Sequence, residues 1–408
     1  MLAIFILFLV FILIAVRKIG KVRLPIWQVM TLGAAGVVVT GQISPIESAR
    51  SVNLDVLLFL FGVFVIGQSL EDSGYLGHLT YRIFRRAKSM DMLVFTIMVV
   101  MGFASALIMN DTLAIIGTPV MLHLAGKHGI SPKLLLLALA FSITTGSVMS
   151  PIGNPQNLLI ALDGNIIDLF VTFLRYLFLP TLINILLAFV VLKLSFRQSF
   201  TSGALNHSEE PIRDYRLAFL SRLSLLMLVS LIFLKIGLIM FHASFTLDLA
   251  YMSLIAAIPI MAHTQRLKIL SRIDWHTLIF FISMFILMQS VWNTGFFQYQ
   301  LDRVPLDAAS TPMILAVSII LSQFISNVPL VALYLPILTL ADAGVPQLMA
   351  LAAGSTIAGN LTILGAASNV IIIHNAEKYG HTIRFMDFVK IGIPLTVINC
   401  AVYYVFLV

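Results

Sequence analysis

One cysteine, Cys400, is all the chain has, so an internal disulfide and a cysteine-ligated metal are excluded. Charge is scarce as well: 11% of the 408 residues are Asp, Glu, Lys or Arg, against 60% hydrophobic, and the mean hydropathy is +1.02. A water-soluble core of this size has no means of covering so much apolar surface, so the bilayer must be the solvent for most of the chain. There is no glycine-rich phosphate loop of the ATPase kind, no HExxH pattern and no GxSxG elbow. Direct use of ATP and ordinary hydrolase chemistry therefore lack support; the chain reads as no enzyme, without cofactor, and its energy source should be an ion gradient. The net charge of +7 is dispersed among short loops and forms no stripe interleaved with aromatics, which argues against a nucleic-acid partner.

What is present is a succession of apolar stretches of about 17 to 25 residues, the length that crosses hydrocarbon as a helix. Spans are predicted at residues 2–16, 25–41, 52–70, 133–162, 166–192, 217–241, 244–262, 276–296, 346–376 and 385–407. The first has no basic residue in front of it and Arg17, Lys18, Lys21 and Arg23 behind it, the pattern of a retained span and not of a cleaved signal peptide. Two further apolar segments, residues 92–126 and 311–340, are too long for one crossing and are interrupted by Asn110-Asp111 and by Ser326-Asn327-Val328-Pro329.

Charge chooses between a broken span and a re-entrant hairpin for these two. If both are hairpins, nearly every Lys and Arg falls on one face, and only Arg50 and Arg303 lie in loops of the other. The basic face is then cytoplasmic by the positive-inside bias, the protein sits in the cell (inner) membrane, and both termini are outside.

The chain also repeats itself. Residues 55–74 (DVLLFLFGVFVIGQSLEDSG) align with residues 276–295 (HTLIFFISMFILMQSVWNTG), matching Phe59 with Phe280, Gln68 with Gln289, Ser69 with Ser290 and Gly74 with Gly295. Ser105, Asn110 and Pro119 match Ser322, Asn327 and Pro336, and SPIGNPQNLLI from Ser150 matches TILGAASNVII from Thr362. The predicted fold is all-α, with ten transmembrane helices and two hairpins in two inverted repeats. Residues 1–195 form the first repeat and 217–408 the second, joined by a cytoplasmic linker at 196–216. Each half has an odd number of crossings, so the two hairpin tips converge from opposite faces near the midplane.

Helices broken in hydrocarbon need protein or water around the freed backbone groups. The four breaks, in two repeat-related pairs, bring together Asn110, Asp111 and Thr112; Ser150, Gly153, Asn154 and Asn157; Ser326 and Asn327; and Thr362, Gly365, Ser368 and Asn369. Half-helix N-termini there suit an anion or a polarised hydroxyl, and freed carbonyls suit a cation. Kinking and close packing are the ordinary use of Gly, Pro and Asn in a membrane helix, but four breaks at paired positions favour a site. A sodium ion is placed at Asn110, Asp111, Asn157, Asn327 and Asn369. Asp111, an ionisable group deep in the membrane, reads first as a coupling-ion or proton site and second as a cap on the returning half-helix, two roles that are compatible; Val328 stands at its place in the second half. Asp55 and His276, at equivalent span starts, read as interfacial. Thr144, Thr145, Ser147 and Ser150 either lend hydroxyls to a cation or bond their own backbone.

NDTLAIIGTP (residues 110–119) resembles the ND-x-x-A-x-I-x-TP segment of arsenite permeases, and SPIGNPQNLLI is similar to the (T/S)PIG-x-P-x-N signature of the ion transporter superfamily. That superfamily includes arsenite permeases, sodium-proton antiporters of the NhaD kind and divalent-anion/sodium symporters, and the resemblance covers essentially the whole chain. It implies an elevator-like transport domain moving against a scaffold that forms a homodimer, with Asn110, Asp111, Gly153, Asn157, Asn327, Gly365 and Asn369 lining the sites. The dicarboxylate symporters carry Ser-Asn-Thr at both tips; Met109-Asn110-Asp111 and Ser326-Asn327-Val328 lack those hydroxyls, which makes dicarboxylate a poorer fit. The resulting expectation is a carrier for a small anion or weakly acidic oxy-solute such as arsenite, coupled to H+ or Na+, with Na+/H+ antiport or carboxylate or sulfate symport as alternatives.

Overall fold

The computed structural model describes residues 2–16, 18–19, 22–23, 25–163, 166, 169–200, 205, 211–240, 248–296, 299, 310–325 and 327–408. Among them six helices are long and apolar enough to cross a membrane, Leu54–Asp72, Met90–Leu107, Leu169–Ser195, Tyr215–Lys235, Trp275–Trp292 and Phe385–Leu407, and shorter apolar helices accompany them. The surface carries exposed Phe5, Ile12, Leu32, Val171, Phe219, Ile258 and Val397, while Asn154, Asn157, Asn184, Asn360 and Asn399 are fully buried. That distribution suits a chain whose solvent is lipid and whose polar groups must pair inside.

The described spans follow the predicted ones to within a few residues at most ends. Short helices that the hydropathy did not reveal lie at Pro45–Ser51, Tyr75–Phe84 and Arg266–Arg272, and Lys18–Ile19 pairs with Val22–Arg23 as a small antiparallel ladder. They are too short or too polar to register as apolar stretches. Of the linker at 196–216, residues 201–204 and 206–210 lie outside the described residues.

Local features of the span at Leu54–Asp72 recur in the aligned span at Trp275–Trp292. Asn53 caps Leu54–Asp72 by accepting from the Val56 N–H, and Asp274 caps Trp275–Trp292 by accepting from the Thr277 N–H. Both spans end in a left-handed glycine, Gly74 (φ 77°) and Gly295 (φ 65°). Gln68 donates to Asp72 at 3.2 Å and Gln289 donates to Asn293 at 2.9 Å. These equivalent spans run in opposite directions. Asp72, at the end of one, is 3.1 Å from Arg272 just before the other, and Asn293, at the end of the second, donates to Glu47 (2.6 Å) ahead of the first.

Polar contacts join the charged ends of several helices. Asp91 pairs with Lys193, Lys133 with Asp387 at 2.8 Å, Lys378 with Asp274 at 3.7 Å, and the Arg213 N–H donates to Ser73 O at 2.9 Å. Between them Met90–Ile108 runs inward, the chain reverses at Met109 (φ 67°, ψ 141°), and Asn110–His128 returns. The turn is bonded to the next span, Asn110 N–H to Gly153 O at 3.0 Å.

Met90–Ile108 lies directly on Pro132–Ser147 because Gly102 and Gly146 let the two backbones touch: a Cβ on Gly146 would overlap the Gly102 backbone itself. In the second half Gly354 meets Leu315 Cα and Ser318 Cβ, 3.2 and 3.0 Å from where its own Cβ would stand. Gly146→Leu is therefore expected to destabilise the protein by about 3 kcal/mol, the upper range of overpacking, read as a lowered melting temperature in detergent; an unchanged melting temperature would show that the two helices can part freely.

Candidate functional site

The breaks lie slightly upstream of where the residue pattern puts them. Pro132–Ser147 ends at Ser147, residues 148–154 are irregular, and Pro155 already opens the second half-helix, a position its fixed φ favours. Likewise Val345–Ile357 passes through two short 3-10 turns before Ala367–Lys378 begins. Asn110, Asp111 and Thr112 form the first turn of the returning helix, and the reversal itself rests on Met109, a non-glycine residue in left-handed space. Such backbone costs on the order of 1–3 kcal/mol and persists where its surroundings impose it.

Both breaks use one device. Asn157 donates through Nδ2 to the carbonyls of Ser147 (3.2 Å), Val148 (3.2 Å) and Ser150 (3.0 Å), ten, nine and seven residues back. Asn369 donates to Gly359 O (2.6 Å) and Thr362 O (3.5 Å), again ten and seven back. A freed carbonyl in hydrocarbon must find a donor, and the asparagine amide supplies it. Asn154 caps the half-helix Pro155–Asp163 by accepting from the Asn157 N–H at 2.8 Å, and donates to Ser147 Oγ and Thr356 Oγ1 at 3.1 Å each. Thr356 Oγ1 in turn donates to Asn157 Oδ1 at 3.2 Å. Asn360 Nδ2 reaches Thr145 Oγ1 at 3.1 Å, so side chains of each half tie down the other's break.

The predicted residues thus divide by what their side chains do. Ser150 Oγ accepts from the Ile152 N–H, Asn154 and Asn157 are bonded as above, and Thr362 Oγ1 donates to Gln323 Oε1 at 2.7 Å. Gly153 and Gly365 admit no side chain, since a Cβ would overlap Ser147 O or Ala358 O. These residues build the breaks. Asn110 Oδ1, Thr112 Oγ1, Asn327 Oδ1, Ser368 Oγ and Asn369 Oδ1 are different: all are buried with no hydrogen-bond partner among the described residues. The Asn369 oxygen is identified by its amide nitrogen, which the two carbonyls hold. Asp111 makes no ion pair with any described residue and is only partly exposed. Ser326 lies outside the described residues.

The structure brings the first turn to the first break, and packs Ala367–Lys378 on Asn110–His128 and Asn327–Leu340 on Pro155–Asp163. Each half-helix beyond a break thus lies on the returning arm of the other half. Asp55 and His276 are exposed, with His276 stacked on Trp27 at 4.6 Å, as an interfacial place requires. Of the hydroxyls before the first break, Ser147 donates to Thr144 O at 2.9 Å and Thr145 accepts from Asn360, whereas Thr144 Oγ1 has no partner among the described residues.

Sequence reasoning missed three groups. Thr356 is the repeat partner of Thr144 and was findable by extending that alignment upstream. Gln323, which bonds Ala358 O at 2.9 Å and Thr362, has no counterpart to flag it. The third is a polar cluster at the end of the last half-helix. His374 Nδ1 is 3.1 Å from Thr277 Oγ1, which donates to the buried Asp274 at 2.7 Å; Lys378 pairs with the same Asp274, and the Tyr379 hydroxyl donates to Glu71. Burial, with Glu71 beside it, holds the Tyr379 hydroxyl above its ordinary pKa, so it stays a donor.

Apolar spans with two mid-helix breaks, and oxygen-bearing side chains at the two reversals and the second break that have no partner among the described residues, suit a multi-pass membrane transporter. The chain belongs to the citrate transporter (CitMHS) family, whose pattern it matches over residues 9–347. It is 26% identical over 417 residues to the uncharacterized transporter Mb2703 of Mycobacterium bovis, covering 97% of this chain and 95% of that protein. It is 25% identical over 442 residues to the silicon efflux transporter LSI3 of Oryza sativa (91% and 90%). The P protein of Mus musculus is 23% identical over 445 residues, but this chain spans only 53% of it. In fold it is similar to the YdaH transporter of Alcanivorax borkumensis, with a TM-score of 0.50 at 13% identity, covering 99% of this chain and 95% of that one.

Proposed function

We propose that the protein is an ion-coupled carrier for a small, weakly acidic hydroxylated solute, arsenite-like in chemistry, with Asp111 as the coupling group for H+ or Na+. The observation that carries this reading is the set of unpartnered oxygens at Asn110, Thr112, Asn327, Ser368 and Asn369. Three amide oxygens and two hydroxyls accept hydrogen bonds from a neutral polyhydroxyl solute and ligate a hard cation. They serve a multiply charged anion less well, and Asp111, with no cation paired to it, opposes one further. The rice relative named for silicon efflux agrees with a hydroxylated solute; the family's description as citrate transporter favours a carboxylate as the second reading.

The opposed directions of Leu54–Asp72 and Trp275–Trp292 support inverted repeats with two re-entrant hairpins, the basic face in the cytoplasm and both termini outside. On this reading the hairpins and interrupted helices form the moving body of an elevator, working as a homodimer. Thermal stabilisation of the purified protein across sodium, arsenite, silicate, sulfate and citrate at two pH values tests the substrate class, because a ligand of the folded state raises its apparent stability. A sodium-dependent shift with arsenite or silicate is expected; a shift with citrate alone would replace the proposal by the carboxylate reading.

An elevator must also break the contacts of His374, Lys378 and Tyr379 with Asp274, Thr277 and Glu71, which join the last half-helix to two scaffold spans. Tyr379→Phe removes one hydrogen bond to a carboxylate, so it should shift the inward-outward balance about tenfold. Accessibility of a cysteine placed at Asn110 in a Cys400→Ser background reads that balance, and an unmoved balance would show that this cluster is static.

A further inference from the structure

Leu169–Ser195 has 27 residues and is about 40 Å long at 1.5 Å per residue, longer than the hydrocarbon it crosses. On the topology proposed above, its last turns, which carry Lys193, stand at headgroup level on the basic face. There they line an open groove of about 380 Å³ together with the start of Met90–Ile108 and the short helix Arg197–Phe200. The lining is Asp91, Val190, Lys193, Leu194, Arg197 and Phe200.

The groove is divided by height. Val190 and Leu194 are 46% and 55% exposed on the outer side of a membrane-spanning helix, and Phe200 is pinned below by an edge contact with Phe189 at 6.2 Å. This part is apolar and faces lipid. Lys193 is held at the opening by its ion pair with Asp91, while Arg197 is exposed and has no partner among the described residues. Arg85, Arg86 and Lys88, which lead into the Ser89 cap of the same Met90–Ile108 helix, are exposed and carry no ion pair with any described residue. Two cations thus line the groove against one carboxylate, and three more precede its Met90–Ile108 wall in the chain.

We infer that this groove holds an anionic phospholipid of the basic-face leaflet, its phosphate at Arg197 and Lys193 and one acyl chain along Val190, Leu194 and Phe200. The guanidinium and ammonium supply the donors a phosphodiester accepts. The apolar wall beside them distinguishes a lipid from a soluble phosphate, and basic pockets between membrane helices on this face suit such headgroups. A lipid here would cover the Asp91–Lys193 pair, which fastens the inward arm at Met90–Ile108 to the last span of its half.

The test uses the full-length protein in neutral detergent, titrated with phosphatidylglycerol, with phosphatidylcholine of the same chains, and with inorganic phosphate, and read by thermal shift and native mass spectrometry. Phosphatidylglycerol should raise the melting temperature and the other two should not. Arg197→Gln should weaken the phosphatidylglycerol effect about fivefold and Arg50→Gln, on the opposite face, should leave it unchanged. Leu194→Ser should narrow the advantage of long-chain over short-chain phosphatidylglycerol. Equal stabilisation by phosphatidylcholine, equal stabilisation by inorganic phosphate, or an effect indifferent to Arg197→Gln would each overturn the assignment.

Discussion

Asp111→Asn should lower gradient-driven transport about 100-fold, the upper end of an ordinary coupling free energy, while leaving the protein folded. The substitution keeps the size of the side chain and a polar atom in the first turn of Asn110–His128, so the helix loses little beyond a favourable charge at its N-terminus. No described cation pairs with Asp111, so removing its charge strands no partner. What the amide cannot do is take up a proton or neutralise a bound sodium ion. Proteoliposomes distinguish the two parts of this argument: uptake driven by an imposed Na+ or pH gradient should collapse, whereas exchange of labelled for unlabelled solute with no gradient should persist. Gradient-driven uptake at the wild-type rate would remove Asp111 from coupling and leave it as a favourable charge in the first turn of its helix.

The spans were legible because hydrocarbon imposes a length and a composition that hydropathy reads directly. Equivalent positions of the two aligned segments carry equivalent local duties: Asn53 and Asp274 are both caps, and Gly74 and Gly295 both take left-handed backbone. Within the candidate site, residue identity showed which positions are special without showing what each side chain spends its hydrogen bonds on. Asn157 and Asn369 look alike in the alignment, but Thr356 occupies one oxygen and nothing among the described residues occupies the other. That difference arises from a contact 199 residues apart along the chain. The His374, Thr277 and Asp274 cluster was hidden for the same reason, since its members come from two spans and carry no spacing signal.

The same asymmetry sets the second large effect. Asn157→Ala should cost about 4 kcal/mol, because it leaves the carbonyls of Ser147, Val148 and Ser150 and the hydroxyl of Thr356 without their partner in a dry interior, at about 1–3 kcal/mol for each orphaned group with partial relaxation. At ordinary stabilities that is enough to deplete the folded protein, read as loss of a monodisperse peak in size-exclusion chromatography. Asn369→Ala orphans two carbonyls, one of them only weakly bonded at 3.5 Å, so its cost in stability should be about half as large. Its larger effect should fall on solute or sodium binding, through the oxygen that Asn369 leaves unpartnered. Melting temperature and ligand-induced shift, measured on both variants, separate the two roles. If Asn369→Ala lost as much stability as Asn157→Ala and bound ligand normally, the two asparagines would be structural equivalents and the unpartnered oxygen would have no part in the site.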